Sequence, residues 1–265
     1  MYVTNIPVLG RTVGKRKLFT VAVAISSLWA FSPAPAAEQP VRVLLDVSFA
    51  PDAGDFALKT SPLLLEWYPK INDILYGPDH PLPYNILIVS FQHGLSYPAF
   101  TTENIIHVSA DTLRNRQDSY EGMVVHELTH VVQHYPKGQA DAGWLVEGIA
   151  DYIRHEAFEK DIQPTMHLDA QAHAYGYTDK DPYFHSLEKT GTDMREKGYL
   201  KSYTVASSFL FWLETRKDKQ VVPHLNQALS QGRYTPELFR QFCGQPLDDL
   251  WVEYVKDSEA DHQSH

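Results

Sequence analysis

The residues best suited to chemistry are two histidines four positions apart, with a glutamate directly after the first. His126, Glu127 and His130 form the pattern H-E-x-x-H within VVHELTHVVQ, residues 124–133. On a helix, residues four apart lie on one face, so both imidazoles can bind one metal ion. Glu127 is rotated by about 100° from His126 and can instead accept a proton from water. This is the arrangement of zinc metallohydrolases.

The five-residue pattern alone also fits an ordinary amphipathic helix that happens to carry two histidines. Valines flank the pattern on both sides, at Val124, Val125, Val131 and Val132. They predict a helix that passes through the core rather than over the surface. A buried imidazole needs a polar partner there, and this favours a metal site.

A third ligand is expected from WLVEGIADY, residues 144–152. Sixteen residues separate His130 from Glu147, which is enough for a turn and a returning helix. Two histidines and a glutamate would leave one tetrahedral position for water, as in catalytic zinc sites. Asp151, one turn beyond Glu147, is placed to accept the other ring N–H of a ligating histidine. An exchange of roles between Asp151 and Glu147 is the alternative.

Other histidines are weaker candidates for the third ligand. His134 continues the helical stripe of His130 but lies one turn further along. His155 is expected to pack or to form hydrogen bonds rather than to bind metal. A metzincin would carry a glycine and a third histidine where this chain has Gln133 and Pro136.

The elements that position these residues follow a strand-then-helix order. Buried strands are predicted in VRVLLDVS (41–48) and YNILIVSF (84–91), a helix between them in PLLLEWYPKINDILYG, and a short strand in NIIHVSAD (104–111). Helices are predicted from SYEGMVVHELTHVVQHY onwards. Residues 161–196 are polar and predict a long irregular excursion that walls a cleft. A small N-terminal mixed sheet and a helical C-terminal half predict one α+β domain.

The N-terminal 37 residues are predicted to be a secretory signal peptide. A basic stretch containing Arg11 and Lys17 precedes the apolar run LFTVAVAISSLWAF, and SPAPAA follows it. The run is shorter than the about 20 residues of a membrane span, although an uncleaved anchor is the alternative. We expect cleavage near Ala36 or Ala37, one domain over residues 38–258, and a disordered tail over 259–265. The mature protein should be secreted or periplasmic, without stable membrane insertion.

Charge and cysteine content narrow the classes of partner and fold. The full chain has a formal net charge of −10. Loss of residues 1–37 removes four positive charges and no negative ones, which leaves −14. Such an acidic protein is a poor partner for nucleic acid or anionic membranes. Cys243 is the sole cysteine, so an exported fold must depend on its core or on a metal rather than on an internal disulfide. A monomer is expected.

Four ordered segments of the chain resemble the peptidase-like family of plant basic secretory proteins and their bacterial relatives. They are NIIHVSADTLRN, EGMVVHELTHVVQHY, GWLVEGIADYIRHEAF, and SYTVASSFLFWLE with the following HLNQAL and YTPELFRQFCGQPLDDLWVEY. The resemblance spans about residues 105–254. It implies a zincin-like (thermolysin-type) fold of the gluzincin class. It also implies one Zn²⁺ per chain, with His126, His130 and Glu147 as ligands and Glu127 as general base.

The resulting prediction is a secreted zinc-dependent peptidase that hydrolyses peptides or proteins. Tyr203 is the candidate donor to the oxyanion, and Tyr199 is the alternative. NIIHVSAD is expected to pair with extended substrate, unless it is a buried central strand. The rival prediction is a secreted zinc-binding defence or binding protein without proteolytic activity. The intact Glu127 argues against that rival, because a structural metal site gains nothing from this residue.

Overall fold

The computed structural model describes residues 40–115, 120–139, 141–159 and 196–263. The predicted signal peptide lies outside these residues. So does the predicted irregular excursion, apart from Glu196 at its end.

In the described part of the chain, four strands form one mixed sheet in the order β1-β2-β4-β3. The strands are β1 (Arg42–Phe49), β2 (Ile86–Gln92), β3 (Ala99–Thr102) and β4 (Ile105–Ser109). The β1-β2 and β2-β4 pairs are parallel, whereas β3 is antiparallel to β4. The predicted small mixed sheet is therefore confirmed.

One face of the sheet is covered by helices. Along β2, Leu87, Val89 and Phe91 are fully buried, whereas the residues between them are less so. This period of two places these three side chains on one face. Helix α1 (Gly54–Tyr76) connects β1 to β2, and it packs against both β1 and α3 (Tyr120–Gln133).

The prediction of a buried strand is wrong for β1 and correct for the centre of β2. β1 has no fully buried residue, and the side chain of Leu44 is 51% exposed. The reason is its position at the edge of a sheet, because an edge strand has a neighbour on one side only. β3 was not predicted as a separate strand, and its pairing makes β4 an inner strand. The expectation that NIIHVSAD pairs with substrate is therefore wrong, since β4 already has a neighbour on each side.

Helices make up most of the described chain after the sheet. They are α2 (Ala110–Asn115), α3, α4 (Gly143–Tyr152), α5 (Tyr203–Arg216), α6 (Val221–Ser230), α7 (Glu237–Cys243) and α8 (Leu247–Gln263). A π-helical turn, Ile153–Phe158, continues α4, and a 3₁₀ turn, Gly198–Leu200, precedes α5. α8 extends into the segment predicted as a tail, because Glu, Ala and Gln are good helix formers. None of the helices described here has the length and hydrophobicity needed to cross a membrane.

Helix α3 lies in the interior, between α1 and the sheet on one side and α4 on the other. Helix α4 in turn packs closely on α5. A Cβ atom added at Gly148 would lie 2.9 Å from the Cβ of Ala206, so the two backbones approach as only a glycine allows. This contact fixes α4 between α3 and α5, with one of its faces turned towards the histidines of α3.

Candidate metal centre

Helix α3 carries His126, Glu127 and His130 through the core. The valines on each side of the motif are fully or almost fully buried, as the sequence predicts. His126 is 9% exposed and Glu127 is 7% exposed. Both polar side chains are thus withdrawn from bulk water, and each needs a partner inside the protein.

A short connection returns the chain from α3 to α4. His134, Gly138 and Asp141 all have positive φ, at 35°, 87° and 62° respectively. Because of these left-handed conformations, the chain reverses its direction within the nine residues between Gln133 and Gly143. Glu147, on the second turn of α4, consequently faces the two histidines. The predicted helix, turn and returning helix are present.

Three ligand atoms converge in this space. The distance from His126 Nε2 to Glu147 Oε2 is 3.2 Å, and that from His130 Nε2 to Glu147 Oε2 is 3.4 Å. The two Nε2 atoms lie 3.2 Å apart. For a tetrahedral zinc ion with ligands at about 2.0–2.1 Å, neighbouring ligand atoms are about 3.3–3.4 Å apart. The three side chains therefore form a group that could hold a metal ion, and their spacing suits zinc.

The opposite nitrogens of the two histidines are held by separate partners. His126 Nδ1 lies 2.7 Å from Asp151 Oδ1, and His130 Nδ1 lies 2.8 Å from Gln133 Oε1. The Gln133 amide also donates to the carbonyl of Val146 at 3.0 Å, which ties it to α4. Both imidazoles therefore direct Nε2 towards Glu147. The alternative in which Asp151 replaces Glu147 as ligand does not fit, because Asp151 contacts the far side of the ring.

The charges of the group also suit a divalent cation. Burial opposes ionisation of Glu147, but its hydrogen bonds with His126 and His130 outweigh burial and lower its pKa to about 2. Burial likewise opposes ionisation of Asp151, and His126 and His155 hold its pKa well below the usual value. Both carboxylates are therefore ionised at neutral pH, and the positive charge that holds them in this state is that of the neighbouring histidines. Burial lowers the pKa of His126, but Asp151 and Glu147 raise it to about 10, so metal must displace a proton from this ring.

A second buried network supports Asp151 from behind. His155 Nε2 lies 3.8 Å from Asp151 Oδ2, and its Nδ1 lies 3.0 Å from Glu159 Oε2. Arg154 Nε contacts the same Glu159 carboxylate at 3.2 Å. Only 3% of His155 is exposed, and its partners agree with the predicted hydrogen-bonding role. His155 lies within the π-helical turn, and Glu159 directly follows it. Such a turn is a local widening of a helix and is frequent at functional sites.

Thr101 on the edge strand β3 holds Glu127, a contact that the sequence did not predict. The Thr101 hydroxyl lies 2.8 Å from Glu127 Oε2 and 2.9 Å from the Glu127 main-chain oxygen. Threonine can donate one proton to either oxygen. The contact fixes the Glu127 carboxylate beside β3.

Comparison with known protein families agrees with these motifs. Residues 84–194 and 180–254 match the family described as BSP, peptidase of plants and bacteria. The chain belongs to this family. No curated protein and no solved structure matches it significantly. The match to the BSP peptidase family includes α3, α4 and α5, and hence all candidate ligands, whereas β1 and α1 precede it.

In this BSP-family chain, the two tyrosines proposed as oxyanion donors occupy different environments. Tyr203 begins α5 after the N-cap residue Ser202, is 52% exposed, and its ring lies nearly parallel to that of His126 at 6.2 Å. Tyr199 is 4% exposed, and its hydroxyl lies 3.4 Å from Asp248 Oδ1. Tyr203 therefore lies exposed beside His126, whereas Tyr199 is almost fully buried.

His134 lies outside the group of His126, His130 and Glu147. Its Nδ1 lies 2.8 Å from the hydroxyl of Tyr84, and its ring packs edge-on against the same tyrosine. The left-handed backbone at His134 ends α3 and turns this residue away from the stripe of His126 and His130. The expectation that it lies too far along the helix to be a ligand agrees with this position.

Proposed function

We propose that this protein is a secreted zinc-dependent peptidase with a zincin-like fold of the gluzincin class. The observation that carries the proposal is the triangle of His126 Nε2, His130 Nε2 and Glu147 Oε2, with sides of 3.2–3.4 Å. Two imidazoles and one carboxylate are a typical donor set of catalytic zinc, which keeps a fourth position for water. Membership of a family named for peptidases supports the same reaction class.

Glu127 is the proposed general base. When bound, a zinc ion would supply a water whose pKa is near 7 and would polarise the scissile carbonyl. The Thr101 hydroxyl lies 2.8 Å from Glu127 Oε2, so we assign proton transfer to Oε1, the carboxylate oxygen without this contact. This oxygen accepts the proton of the attacking water and later delivers it to the nitrogen of the leaving amine. The hydroxyl of Tyr203 is the proposed donor to the oxyanion of the tetrahedral intermediate.

Strand β3 is the proposed platform for the substrate backbone. It is the edge strand beside α3 in the described sheet, and an edge strand offers backbone groups to an extended peptide. Because Thr101 belongs to this strand and also contacts Glu127, a peptide paired with β3 would lie beside the proposed base. This replaces β4 as the candidate strand for pairing.

The rival function is a secreted zinc-binding protein without proteolytic activity. A purely structural site would need a fourth protein ligand rather than Glu127 beside an open position. The directed contact between Thr101 and Glu127 also supports a role for this carboxylate. We therefore favour the enzyme, with a peptide or protein as substrate and no nucleic-acid partner.

Metal analysis of two matched variants tests the ligand set. His130→Ala should lose most of its zinc at a stoichiometric metal concentration, because one of three protein ligands is removed. His134→Ala removes the next histidine along the chain, directly after α3, and should keep one zinc per chain. A full zinc complement in His130→Ala would refute the proposed ligand set.

We also propose export of the chain after removal of the first 37 residues. N-terminal sequencing of the protein recovered outside the cytoplasm should give a start near Ala37 or Glu38. Exported protein that begins at Met1 would overturn this proposal without affecting the metal site.

A further inference from the structure

A cavity of about 510 Å³ lies directly beside the proposed metal centre, and Glu147 forms part of its wall. We refer to it as the aromatic cavity, because Trp144, Tyr199, Tyr203 and Tyr234 line it. Its volume falls within the roughly 300–1,000 Å³ of typical ligand pockets. The mechanism above uses only Glu147 and Tyr203 from this wall, so the remaining aromatic surface has no assigned role.

Two of the aromatic walls, Trp144 and Tyr199, are held in place by contacts with other rings. The ring of Trp144 packs edge-on against Tyr199 with centroids 4.6 Å apart, and it lies 6.0 Å from Phe239. Tyr199 also contacts Trp251 at 5.2 Å. These contacts hold Trp144 and Tyr199 in place, so this part of the wall is preformed and needs little ordering when a ligand enters.

The chemistry of the lining selects among peptide side chains. Leu200, Pro236 and Leu247 add aliphatic surface to the four aromatic rings. None of the residues that line the cavity in the described chain is basic, and Asp141 and Glu147 carry negative charge. An acidic side chain would therefore be repelled, whereas a large apolar side chain would lose its unfavourable contact with water.

We propose that the aromatic cavity binds an aromatic or large aliphatic side chain of the substrate, at a residue next to the scissile bond. The position follows from the contact of the cavity with Glu147, and this part of the inference rests on the proposed peptidase function. A basic side chain is the competing occupant, because aromatic rings and Asp141 could attract a cation. Asp141 is exposed to solvent, so water screens its charge. The carboxylate of Glu147 faces His126 and His130, so the apolar lining decides.

Binding of small probes to the metal-free protein tests the pocket without requiring catalysis. N-acetyl-phenylalanine amide should shift the NMR signals of the Trp144 indole N–H and the Gly143 amide at millimolar concentrations. N-acetyl-alanine amide should shift them at least about 10-fold more weakly, since it buries far less apolar area. Tighter binding of N-acetyl-arginine amide than of the phenylalanine probe would overturn the proposal, as would no difference between phenylalanine and alanine.

A pair of glycine variants links the cavity to substrate choice. A Cβ atom added at Gly143, which lines the cavity, or at Gly54, which does not, meets nothing within 4 Å. Wild type should cleave peptides with phenylalanine beside the scissile bond about 10- to 100-fold more efficiently, in kcat/KM, than matched alanine peptides. Gly143→Leu should reduce this ratio and weaken binding of the phenylalanine probe, whereas Gly54→Leu should change neither.

The two measurements separate failure of the pocket from failure of the peptidase function. Zinc-dependent hydrolysis with no preference for phenylalanine over alanine would refute the pocket alone. If no peptide is cleaved but the phenylalanine probe binds and Gly143→Leu weakens it, the cavity is a binding site and the peptidase proposal fails. If Gly143→Leu and Gly54→Leu behave alike in both assays, the aromatic cavity does not select the substrate.

Discussion

Gly122 lies on α3 one turn before His126, at a point where helix packing leaves no room for a side chain. A Cβ atom added there would overlap Glu159 Oε1 and would lie 2.7 Å from Arg154 Nε. Glu159 is 6% exposed and is held by both Arg154 and His155. Gly122→Ala should therefore displace a buried carboxylate from its two partners.

The magnitude follows from opposing contributions. Alanine in place of glycine within a helix stabilises by about 0.5–1 kcal/mol. Overpacking costs about 1–3 kcal/mol, and breaking a buried ion pair costs about 3–5 kcal/mol. Glu159 is a flexible side chain that can move partly towards water, so only part of the energy of its ion pair with Arg154 is lost. We expect Gly122→Ala to lower the free energy of unfolding by about 2–4 kcal/mol, or Tm by roughly 5–15 °C.

Urea unfolding of a double-mutant cycle measures this effect. Glu159→Ala should destabilise the protein by itself. Because it removes the obstructing carboxylate and releases the flexible Arg154 side chain from its ion pair, Gly122→Ala in that background should be neutral or stabilising. Gly143→Ala is the matched control, since its Cβ atom meets nothing within 4 Å. A Gly122→Ala protein as stable as wild type, or equal effects of Gly122→Ala in both backgrounds, would refute the packing of Glu159 against α3.

Three further predictions concern the surroundings of the metal centre. Asp151→Asn should keep the fold but reduce zinc affinity or kcat/KM by about 10- to 100-fold. Metal titration and peptide hydrolysis measure these two quantities, and unchanged values would show that Asp151 does not orient His126. Thr101→Val removes the hydroxyl that holds Glu127, so it should lower kcat about 10-fold with zinc content unchanged, whereas Thr101→Ser should retain activity. Equal rates for the two variants would show that the Thr101 hydroxyl has no part in the mechanism. Burial raises the pKa of Glu156 from 4.5 to about 7. Between these two pH values the folded protein keeps a proton that the unfolded chain releases. The free energy of unfolding should therefore fall as pH rises from about 4.5 to about 7. Glu156→Gln should flatten that part of the Tm profile between pH 4 and 8, and a variant profile parallel to wild type would contradict the shifted pKa.

Local spacing was enough to predict that His126, His130 and Glu147 come together. His126 and His130 share a helical face by periodicity alone, and the short segment before Glu147 allowed a return to the same point. Asp151 followed from the turn after Glu147. Gln133 could have been found in the same way, because it lies three residues after His130 on the same helix. These contacts depend on residues near one another in sequence or on adjacent helices.

Contacts that depend on the order of the strands in the sheet could not be predicted from the sequence. Thr101 meets Glu127 because β3 folds back outside β4, and single-strand patterns do not reveal which strand takes the edge. The strand order also places β1 at the other edge of the sheet, which explains why it is only half-buried. The contact of Arg154 with Glu159, five residues apart, depends on the π-helical turn after α4, which shifts the helix register in a way that a period of 3.6 residues does not predict.

Glu127→Gln is the most direct test of the proposed zinc peptidase. Glutamine keeps the size of the side chain but cannot accept the proton of the attacking water, and the three ligands are untouched. Zinc content, measured by elemental analysis, should stay near one per chain, while kcat/KM for peptide hydrolysis should fall by at least about 100-fold. Equal cleavage by wild type and Glu127→Gln would contradict the role of Glu127. A zinc-loaded wild-type protein that cleaves nothing in a diverse peptide and protein panel would contradict the peptidase function itself.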